Sequence, residues 1–162
     1  MTRIQYTETD QQGLDLIGAL WQKLNEHHKV RSQQFESHYD KMTFEMRKEE
    51  LLDKSEKGTM RIDLARDVNT GKLVGYCVST VSRDRQGEIE SIYIETDYRR
   101  SGIGDSFMKR ALRWMDDLSV TKIKLEVGVG NEEVFAFYKL YDFYPRSTIL
   151  WQVETREADK TG

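Results

Sequence analysis

The sequence has little cysteine and no long apolar run, and both absences restrict the class of protein. Cys77 is the single cysteine, so no disulfide can form within the chain, and no Cys/His spacing suggests a zinc site. No apolar run approaches the roughly 20 residues needed to span a bilayer. The first residues also lack the basic-then-apolar pattern of a secretory signal. We therefore expect a cytoplasmic protein with no metal and no membrane partner.

Charge of one sign is also scarce. The formal net charge is −3, and both signs are spread along the chain. A protein that holds nucleic acid through its net field is strongly basic, so we expect no nucleic-acid partner. The 162 residues fit one domain without linkers, repeats or low-complexity segments. We predict one domain over residues 1–154, followed by a charged and frayed tail, residues 155–162.

Hydrophobic spacing predicts the elements of the N-terminal third. Ile4 and Tyr6 indicate a short strand, and Thr9 or Asp10 can cap a helix. The apolar residues of that helix recur at helical spacing and are Leu14, Ile17, Trp21 and Leu24. Residues 30–41 are polar and predict a loop or short helix, and residues 44–52 predict a second helix.

The spacing then changes to that of strands. Alternation over residues 60–65 predicts a strand, followed by a turn at residues 69–71. Residues 73–81 and 88–94 predict two more strands, joined by a turn at residues 83–87. Three strands with short turns form an antiparallel meander.

Helical spacing returns after Gly102. The apolar stripe consists of Ile103, Phe107, Ala111, Met115 and Leu118. Residues 123–129 predict a strand, Asn131 can cap a helix over residues 132–141, and residues 148–153 predict a last strand. The order is β-α-α-β-β-β-α-β-α-β, with room for one more strand at the end. This order predicts an α/β (α+β) fold with a mixed, mostly antiparallel central sheet flanked by helices.

The segment from Tyr98 to Gly104, which reads Tyr-Arg-Arg-Ser-Gly-Ile-Gly, lies between a strand and an amphipathic helix. Backbone N–H groups at a helix N-terminus converge on one spot and favour an anion there. Gly102 and Gly104 allow a diphosphate to approach the backbone, and Arg99 and Arg100 add positive charge. The segment predicts a diphosphate site.

Other interpretations of this segment exist. Glycines can simply punctuate the start of a helix, and the pattern alone is common. A Rossmann fingerprint requires a third glycine where this chain has Phe107, which disfavours a nucleotide-binding domain. A Walker A loop requires Gly-Lys-Ser/Thr, which is absent.

The region from Glu88 to Phe143, about a third of the chain, resembles the core of the GNAT superfamily of acetyl-CoA-dependent N-acetyltransferases. In chain order, the matching segments are Ile92-Tyr93-Ile94, then Arg99-Arg100-Ser101-Gly102-Ile103-Gly104, then Leu125-Glu126-Val127, then Asn131-Glu132-Glu133, and then Ala136-Phe137-Tyr138-Lys139-Leu140. The resemblance implies the GNAT fold and direct acetyl transfer from acetyl-CoA to an amine. A non-enzymatic acyl-CoA-binding or regulatory module on the same fold is the alternative, and a homodimer is one expected state.

The resemblance also implies residue roles. The backbone of Ile92, Tyr93 and Ile94 would pair with the pantetheine arm, and Asn131 would touch that arm where two parallel strands separate. The diphosphate loop would consist of Arg99, Arg100, Ser101, Gly102, Ile103, Gly104 and Asp105. Tyr138 would bind the cofactor and act as general acid. An alternative for Tyr138 is a place in the core among neighbouring aromatic residues, Phe135, Phe137, Tyr141 and Phe143.

The chain departs from the family pattern at Asp142-Phe143, where the family has Gly-Phe. A left-handed residue is expected to end the last helix here. Aspartate tolerates that conformation better than most residues, so we predict a changed cap and no loss of function.

Glu88 and Glu90 are the candidates for handling the acceptor's proton. An alkyl ammonium with a pKa near ~10.4 costs about 4.6 kcal/mol to deprotonate at pH 7, so a base helps. Both residues lie on one face of the strand that leads to Ile92, and Glu88 has the spacing to Arg99 at which some family members carry a catalytic glutamate. A solvated strand face is the alternative, and a bulge in this strand would change which glutamate faces the cleft.

The remaining reactive side chains are assigned structural places. His27, His28 and His38 are expected at the surface or lining the acceptor site, and His27 and His28 are adjacent and cannot share a helix face. Cys77 is expected to be a buried thiol, with a covalent acetyl-cysteine route as the minor alternative. The acceptor site is expected over residues 24–54 and the late strands. The sequence leaves the acceptor open among small amines, amino acids, antibiotics and protein amines.

Overall fold

The computed structural model describes residues 2–154, and the predicted tail lies outside the described residues. Five strands form one sheet in chain order. They are β1 (Ile4–Thr9), β2 (Gly58–Asp67), β3 (Leu73–Ser82), β4 (Gln86–Ile94) and β5 (Lys122–Leu125). The first four strands pair antiparallel, whereas β4 and β5 run parallel. The predicted mixed, mostly antiparallel sheet is therefore confirmed.

Within residues 2–154, five α-helices flank the sheet. They are α1 (Gly18–Arg31), α2 (Glu36–Lys41), α3 (Phe44–Glu56), α4 (Ile103–Asp117) and α5 (Phe135–Lys139). A 3-10 helix, Gln11–Ile17, precedes α1, and its cap is Asp10, whose carboxylate accepts from the Gln12 amide at 2.9 Å. No helix within residues 2–154 has the length and apolar character to cross a membrane.

Both faces of the sheet are covered, because β2 and β3 are buried along nearly their whole length. On one face, Leu14, Trp21 and Leu51 from the 3-10 helix, α1 and α3 pack on β2 and β3. On the other face lies α4, whose predicted apolar stripe is confirmed: four of its five members are buried, and Leu118 packs at the margin. Burying one such side chain contributes about 1.5–3 kcal/mol, so α4 is held to the sheet mainly by this stripe.

The parallel strands β4 and β5 pair over a short ladder and then separate. We call the place where they separate the fork. Their ladder ends at Ile89 and Leu125, although β4 continues to Ile94. On its other side, β4 has a bulge, because Val78 pairs with Ser91 while Ser79 pairs with Ile89. The edge of β4 beyond the fork therefore faces open space.

The predicted last strand over residues 148–153 is wrong: residues 143–154 form no regular structure. Ile149, Leu150 and Trp151 are largely exposed, with Leu150 90% exposed. Three consecutive apolar residues do not alternate, and strand propensity produces a strand only where a partner edge and a packing surface are available. The neighbouring β5 is short, so it offers little edge for pairing.

Two further boundaries differ from prediction. The strand predicted over residues 123–129 ends at Leu125, because the following loop is drawn against α1: a Cβ on Gly130 would lie 2.0 Å from the Arg31 carbonyl oxygen. The helix predicted over residues 132–141 begins as a 3-10 turn, Glu132–Val134, and continues as α5. Asn131 lies at the predicted N-cap position, but its side chain makes no capping hydrogen bond.

The predicted left-handed residue after α5 is confirmed. Asp142 has φ 65°, and the amide of Phe143 donates to the Tyr138 carbonyl at 3.2 Å. The changed residue therefore keeps the turn that places Phe143 beside Tyr138.

We predict that Asp142→Gly stabilises the protein by roughly 0.5 kcal/mol, because glycine has no Cβ penalty at positive φ. The free energy of unfolding from urea titration measures the effect. The matched control is Asp116→Gly, the same chemical change at an exposed position inside α4, which should destabilise by about 0.5 kcal/mol. A loss of stability in Asp142→Gly would contradict the left-handed turn.

Candidate functional site

The N-terminus of α4 presents backbone amides without helical partners. The first i to i−4 bond of this helix runs from the Ser106 amide to the Gly102 carbonyl at 3.0 Å. The amides of Ile103, Gly104 and Asp105 precede it and have no acceptor inside the helix. Three convergent donors at the positive end of the helix dipole form the kind of place that binds a phosphate oxygen.

The two glycines of this loop have different reasons for lacking a side chain. Gly102 has φ 89°, and a Cβ there would meet no atom within 4 Å, so open space lies over the helix start. A Cβ on Gly104 would lie 3.1 Å from the Phe137 ring and 3.5 Å from Ile94 Cδ1. Gly104 therefore lets the start of α4, the end of β4 and α5 pack closely together. The sequence pattern did not indicate this packing role.

The side chains of this loop are held locally. Arg99 Nε donates to the Ile94 carbonyl at 2.9 Å, and its guanidinium lies 5.5 Å from the centroid of the Tyr93 ring. Ser101 donates its hydroxyl proton to the Tyr98 carbonyl. Arg99 thus lies against the end of β4 and presents its positive charge beside the fork.

Asp105 and Arg100 complete the loop. The Asp105 carboxylate accepts from Lys109 at 2.8 Å and from the Tyr141 hydroxyl, and these two partners lower its pKa. Its side chain therefore faces α4 and the residues after α5, which leaves its backbone amide as the group available to a ligand. Arg100 has φ 59°, so the chain turns sharply just before Gly102.

The fork exposes the edge of β4 over the residues predicted to meet the pantetheine arm. Ile92 and Ile94 pack on the α4 side of the sheet, whereas Tyr93 is buried on the opposite side. No β5 residue pairs with this part of β4, because the ladder ends at Ile89. Apart from the Ile94 carbonyl, which accepts from Arg99, the backbone groups along this edge have no β5 partner and can pair with an extended ligand.

On the α3 side of the fork is a cleft of about 360 Å³. It is lined by Arg47, Glu50, Asp53, Lys54, Glu88, Ile89, Glu90 and Glu126. Glu88 and Glu90 share this cleft, so the prediction that they lie on one face is confirmed, and the bulge does not separate them. Lys54 Nζ bridges them, at 3.0 Å from Glu88 Oε2 and 2.7 Å from Glu90 Oε1.

The two glutamates differ in how far their oxygens are engaged. The Glu90 side chain is 1% exposed, and its oxygens accept from Thr80, Lys54 and Arg47. Glu88 is more accessible and contacts Lys54, with Lys124 at 3.9 Å. Burial raises the pKa of Glu88, the negative charge of Glu90 raises it further, and Lys54 opposes both effects. Glu88 is therefore the carboxylate with room to take a proton.

Tyr138 is buried in the core cluster on the α4 side of the sheet. Its ring centroid lies 5.2 Å from that of Phe137 and 6.4 Å from that of Phe143. Burial is the main cause that raises the pKa of its hydroxyl, and Cys77 adds to it. The hydroxyl therefore stays protonated at neutral pH, as a proton donor must be.

His27 and His28 lie beside the loop after β5. His27 Nε2 lies 3.4 Å from Asn131 Oδ1, and the neighbouring Arg31 forms an ion pair with Glu133. Burial lowers the pKa of His28 to about 4, with help from His27 and Arg31, so His28 is neutral at pH 7. These contacts tie α1 to the segment that carries Asn131.

Cys77 is a buried thiol, and no candidate metal site is found within residues 2–154. Cys77 is fully buried, as predicted, and burial raises its pKa to about 12, which keeps the thiol protonated. Within residues 2–154, no group of three His, Cys, Asp or Glu side chains is arranged to hold a metal ion.

Of the residues that line the cleft, only Glu88 and Glu90 were predicted as site residues from the sequence. Arg47 and Lys54 lie within the segment expected for the acceptor site, residues 24–54, but had no predicted role, and neither had Glu126. Arg47 and Lys54 stand seven positions apart on α3, with Glu50 between them, and this spacing places all three on one helix face. This charged stripe lies beside the buried Leu51, which is four positions after Arg47, and its spacing was visible in the sequence. The sequence did not show which strand this face of α3 contacts.

The chain is similar to known acetyltransferases in sequence and in fold. Residues 21–143 match the family described as acetyltransferase (GNAT) family. The chain is 27% identical over 85 residues to an uncharacterized N-acetyltransferase of Methanocaldococcus jannaschii, covering 49% of this chain and 38% of that protein. It is 28% identical over 75 residues to a Bacillus subtilis protein provisionally named a ribosomal protein bS18 alanine N-acetyltransferase, covering 46% of this chain and 49% of that protein.

A solved structure shares the fold. The ribosomal-protein-alanine N-acetyltransferase of Brucella melitensis biovar Abortus superposes with a TM-score of 0.63 at 16% identity, covering 93% of this chain and 99% of that one. The chain matches less than half the length of the two sequence relatives. These relatives therefore support the family and the fold and do not identify a substrate.

We predict that Gly102→Val weakens acetyl-CoA binding more than about tenfold, a loss of ~1.4 kcal/mol, because the new side chain fills the open space over the helix start. Calorimetry measures the affinity. The matched control is Gly71→Val in the β2–β3 turn, because Gly71 also has a positive φ, 72°, and a Cβ there would also meet no atom within 4 Å. Unchanged affinity in a folded Gly102→Val protein would contradict a diphosphate site at this loop.

Proposed function

Because the chain belongs to the acetyltransferase (GNAT) family, we propose that it is an N-acetyltransferase that moves an acetyl group from acetyl-CoA to a primary amine. The observation that carries this proposal is the meeting of two features: free amides at the start of α4, and the unpaired edge of β4 beyond Ile89. The first suits a diphosphate and the second suits an extended arm. Gly104 allows the two to lie side by side.

Acetyl-CoA fits the groups that are available. The amides of Ile103, Gly104 and Asp105 would hold the diphosphate, with Arg100 near it. The backbone of Ile92, Tyr93 and Ile94 would hydrogen-bond the arm, and Asn131 would contact it from the other side of the fork. When bound, acetyl-CoA supplies an activated acyl group, and the chain supplies position and proton transfer.

Glu88 is our proposed general base, acting directly or through water. An amine attacks a thioester only when neutral, and at pH 7 an alkylamine is almost wholly protonated. The raised pKa of Glu88 brings it closer to that of the amine and makes it a stronger base than an ordinary glutamate. Glu90 is the second candidate, and its engagement by three donor side chains argues against it.

Tyr138 is our proposed general acid. A departing thiolate needs a proton, and the Tyr138 phenol is protonated at neutral pH and can donate one. Transfer would then be direct within a ternary complex, because the thiol of Cys77 is buried and protonated.

The acceptor is open, and we propose to search for it among amines of contrasting pKa. An alkylamine has a pKa near ~10.4 and an α-amino group near ~7.7–8.0, so the second needs less help from a base. Peptides that begin with alanine belong in the panel, since one relative is named for that substrate. Cytoplasmic location and a homodimer remain predictions.

The test is release of CoA thiol from acetyl-CoA in the presence of each amine, with mass spectrometry of the product. Acetylation of any primary amine above the rate without enzyme supports the proposal. Tight acetyl-CoA binding with no transfer to any amine would favour the non-enzymatic module.

We predict that Tyr138→Phe lowers kcat about 10²–10⁴-fold while acetyl-CoA affinity changes little, because the ring is kept and only the proton donor is lost. Single-turnover kinetics and calorimetry measure the two effects. The control is Tyr144→Phe, the same change at an exposed tyrosine. Wild-type turnover in Tyr138→Phe, with chemistry rate-limiting, would exclude this role.

We predict that Glu88→Gln lowers kcat/KM for an alkylamine most near pH 7 and that the deficit shrinks as pH rises toward the amine's pKa. The substrate then arrives neutral and needs no base. In wild type, the raised pKa of Glu88 means that activity falls off at a higher pH than for an ordinary glutamate. Profiles of kcat/KM against pH for Glu88→Gln and Glu90→Gln check this.

The control for these profiles is Glu49→Gln, an exposed position on α3. If both Glu88→Gln and Glu90→Gln run parallel to wild type at every pH, neither residue is the base. If Glu90→Gln alone shows the pH-dependent deficit, the role moves to Glu90.

A further inference from the structure

Glu90 lies at the point where β4 loses its register with both neighbouring strands. On the β3 side it is the residue that the bulge skips, because Val78 pairs with Ser91 and Ser79 pairs with Ile89. On the β5 side it is the first residue after the last pair of the ladder. Backbone polar groups at such a point need partners from elsewhere, since an unpaired buried group is costly.

A side chain of α3 provides that partner. Arg47 donates one guanidinium nitrogen to the Glu90 carbonyl at 2.9 Å and to the Glu90 carboxylate at 3.3 Å. Its other terminal nitrogen donates to Glu50 Oε2 at 3.1 Å. The Arg47 side chain is 17% exposed and that of Glu90 is 1% exposed, so the contact is shielded from water. The planar fork of arginine allows these contacts to be made at once.

The same contact affects the charge around Glu88. Lys54 divides its ammonium between Glu90 and Glu88. Because Arg47 also donates to the Glu90 carboxylate, the Lys54 ammonium remains available to contact Glu88. The other charged groups at the cleft are Lys124, at 3.9 Å from Glu88, and the carboxylates of Glu50, Asp53 and Glu126. Without Arg47, the Glu90 carboxylate would depend on the Lys54 ammonium as its positive partner, and the cleft would carry one positive charge less.

We propose that Arg47 is a positioning residue that fixes the bulge at Glu90, and so sets both the edge of β4 that would bind acetyl-CoA and the charge balance around Glu88. This inference rests on the proposed function for its catalytic consequences. Its structural half, the hold on the bulge, can be tested in the protein alone.

The test compares Arg47→Met with Arg47→Lys in the full chain. Arg47→Met should raise the Kd and KM for acetyl-CoA and lower kcat, each by roughly 10- to 100-fold, because small misplacements at a reacting site cost this much. The acidic limb of its kcat/KM profile should move to higher pH, since Glu88 faces less positive charge. A merely structural loss would lower activity equally at all pH values.

Arg47→Lys separates geometry from charge. A lysine keeps the positive charge but lacks the planar fork that reaches the Glu90 carbonyl and two carboxylates together. We expect the pH profile to return toward wild type while acetyl-CoA affinity stays weakened. If Arg47→Lys behaves as Arg47→Met in both measurements, charge is not the separate contribution that the proposal requires.

Amide hydrogen exchange of the unliganded protein is the arm that does not need acetyl-CoA. Peptides covering residues 88–92 should exchange several-fold faster in Arg47→Met. The matched control is Lys48→Met, the next residue on α3, whose ammonium pairs with Asp15 at 2.6 Å. It should leave exchange over residues 88–92, acetyl-CoA affinity and the pH profile unchanged.

The outcomes distinguish the two proposals. A folded Arg47→Met protein with wild-type exchange over residues 88–92 overturns the positioning role, whatever the enzyme does. Wild-type protein that binds acetyl-CoA but acetylates no amine overturns the proposed function and leaves the affinity and exchange arms to decide on Arg47. Wild-type protein that binds no acetyl-CoA overturns both the function and the catalytic half of this inference.

Discussion

The separation of β4 from β5 beyond Ile89 and Leu125 is the constraint on which the candidate site depends. A sheet normally satisfies its own backbone, and a strand that leaves its neighbour must find other partners for its polar groups. Here the edge of β4 opens onto the loop at the start of α4, which also carries unpaired amides. The amides at the start of α4 and the backbone groups of β4 that have no β5 partner lie together, and they suit a long polar ligand without any specialised side chain.

The bulge at Glu90 extends this constraint into the charged cleft. Glu90 turns its side chain toward α3, where a buried carboxylate needs positive partners. Arg47 and Lys54 meet that need. The same helix buries Leu51 in the core. This packing of α3 on the sheet fixes where its charged side chains meet β4. Core packing and site electrostatics are thus set by one helix.

Some features of the structure could be predicted from residue spacing and residue preferences, and others could not. The apolar stripe of α4 and the shared face of Glu88 and Glu90 follow from spacing. The left-handed Asp142 follows from the family resemblance, which implies a glycine at this position, and from the tolerance of aspartate for that conformation. The strand expected over residues 148–153 failed because a strand needs a partner edge, which no local pattern reveals. Arg47 and Asn131 were misjudged or missed for a related reason: their partners, Glu90 and His27, are 43 and 104 residues away in the chain.

Burial raises the pKa of both proposed proton-handling groups, with opposite uses. For Glu88 the effect strengthens the base that must take a proton, whereas for Tyr138 it keeps the hydroxyl protonated at neutral pH but makes it a weaker acid. Tyr138 packs with the core on the α4 side of the sheet, whereas Glu88 faces α3 on the other side. An intact sheet would keep them apart. The fork removes that barrier at one place, so an acyl group held there would have the base on one side and the acid on the other.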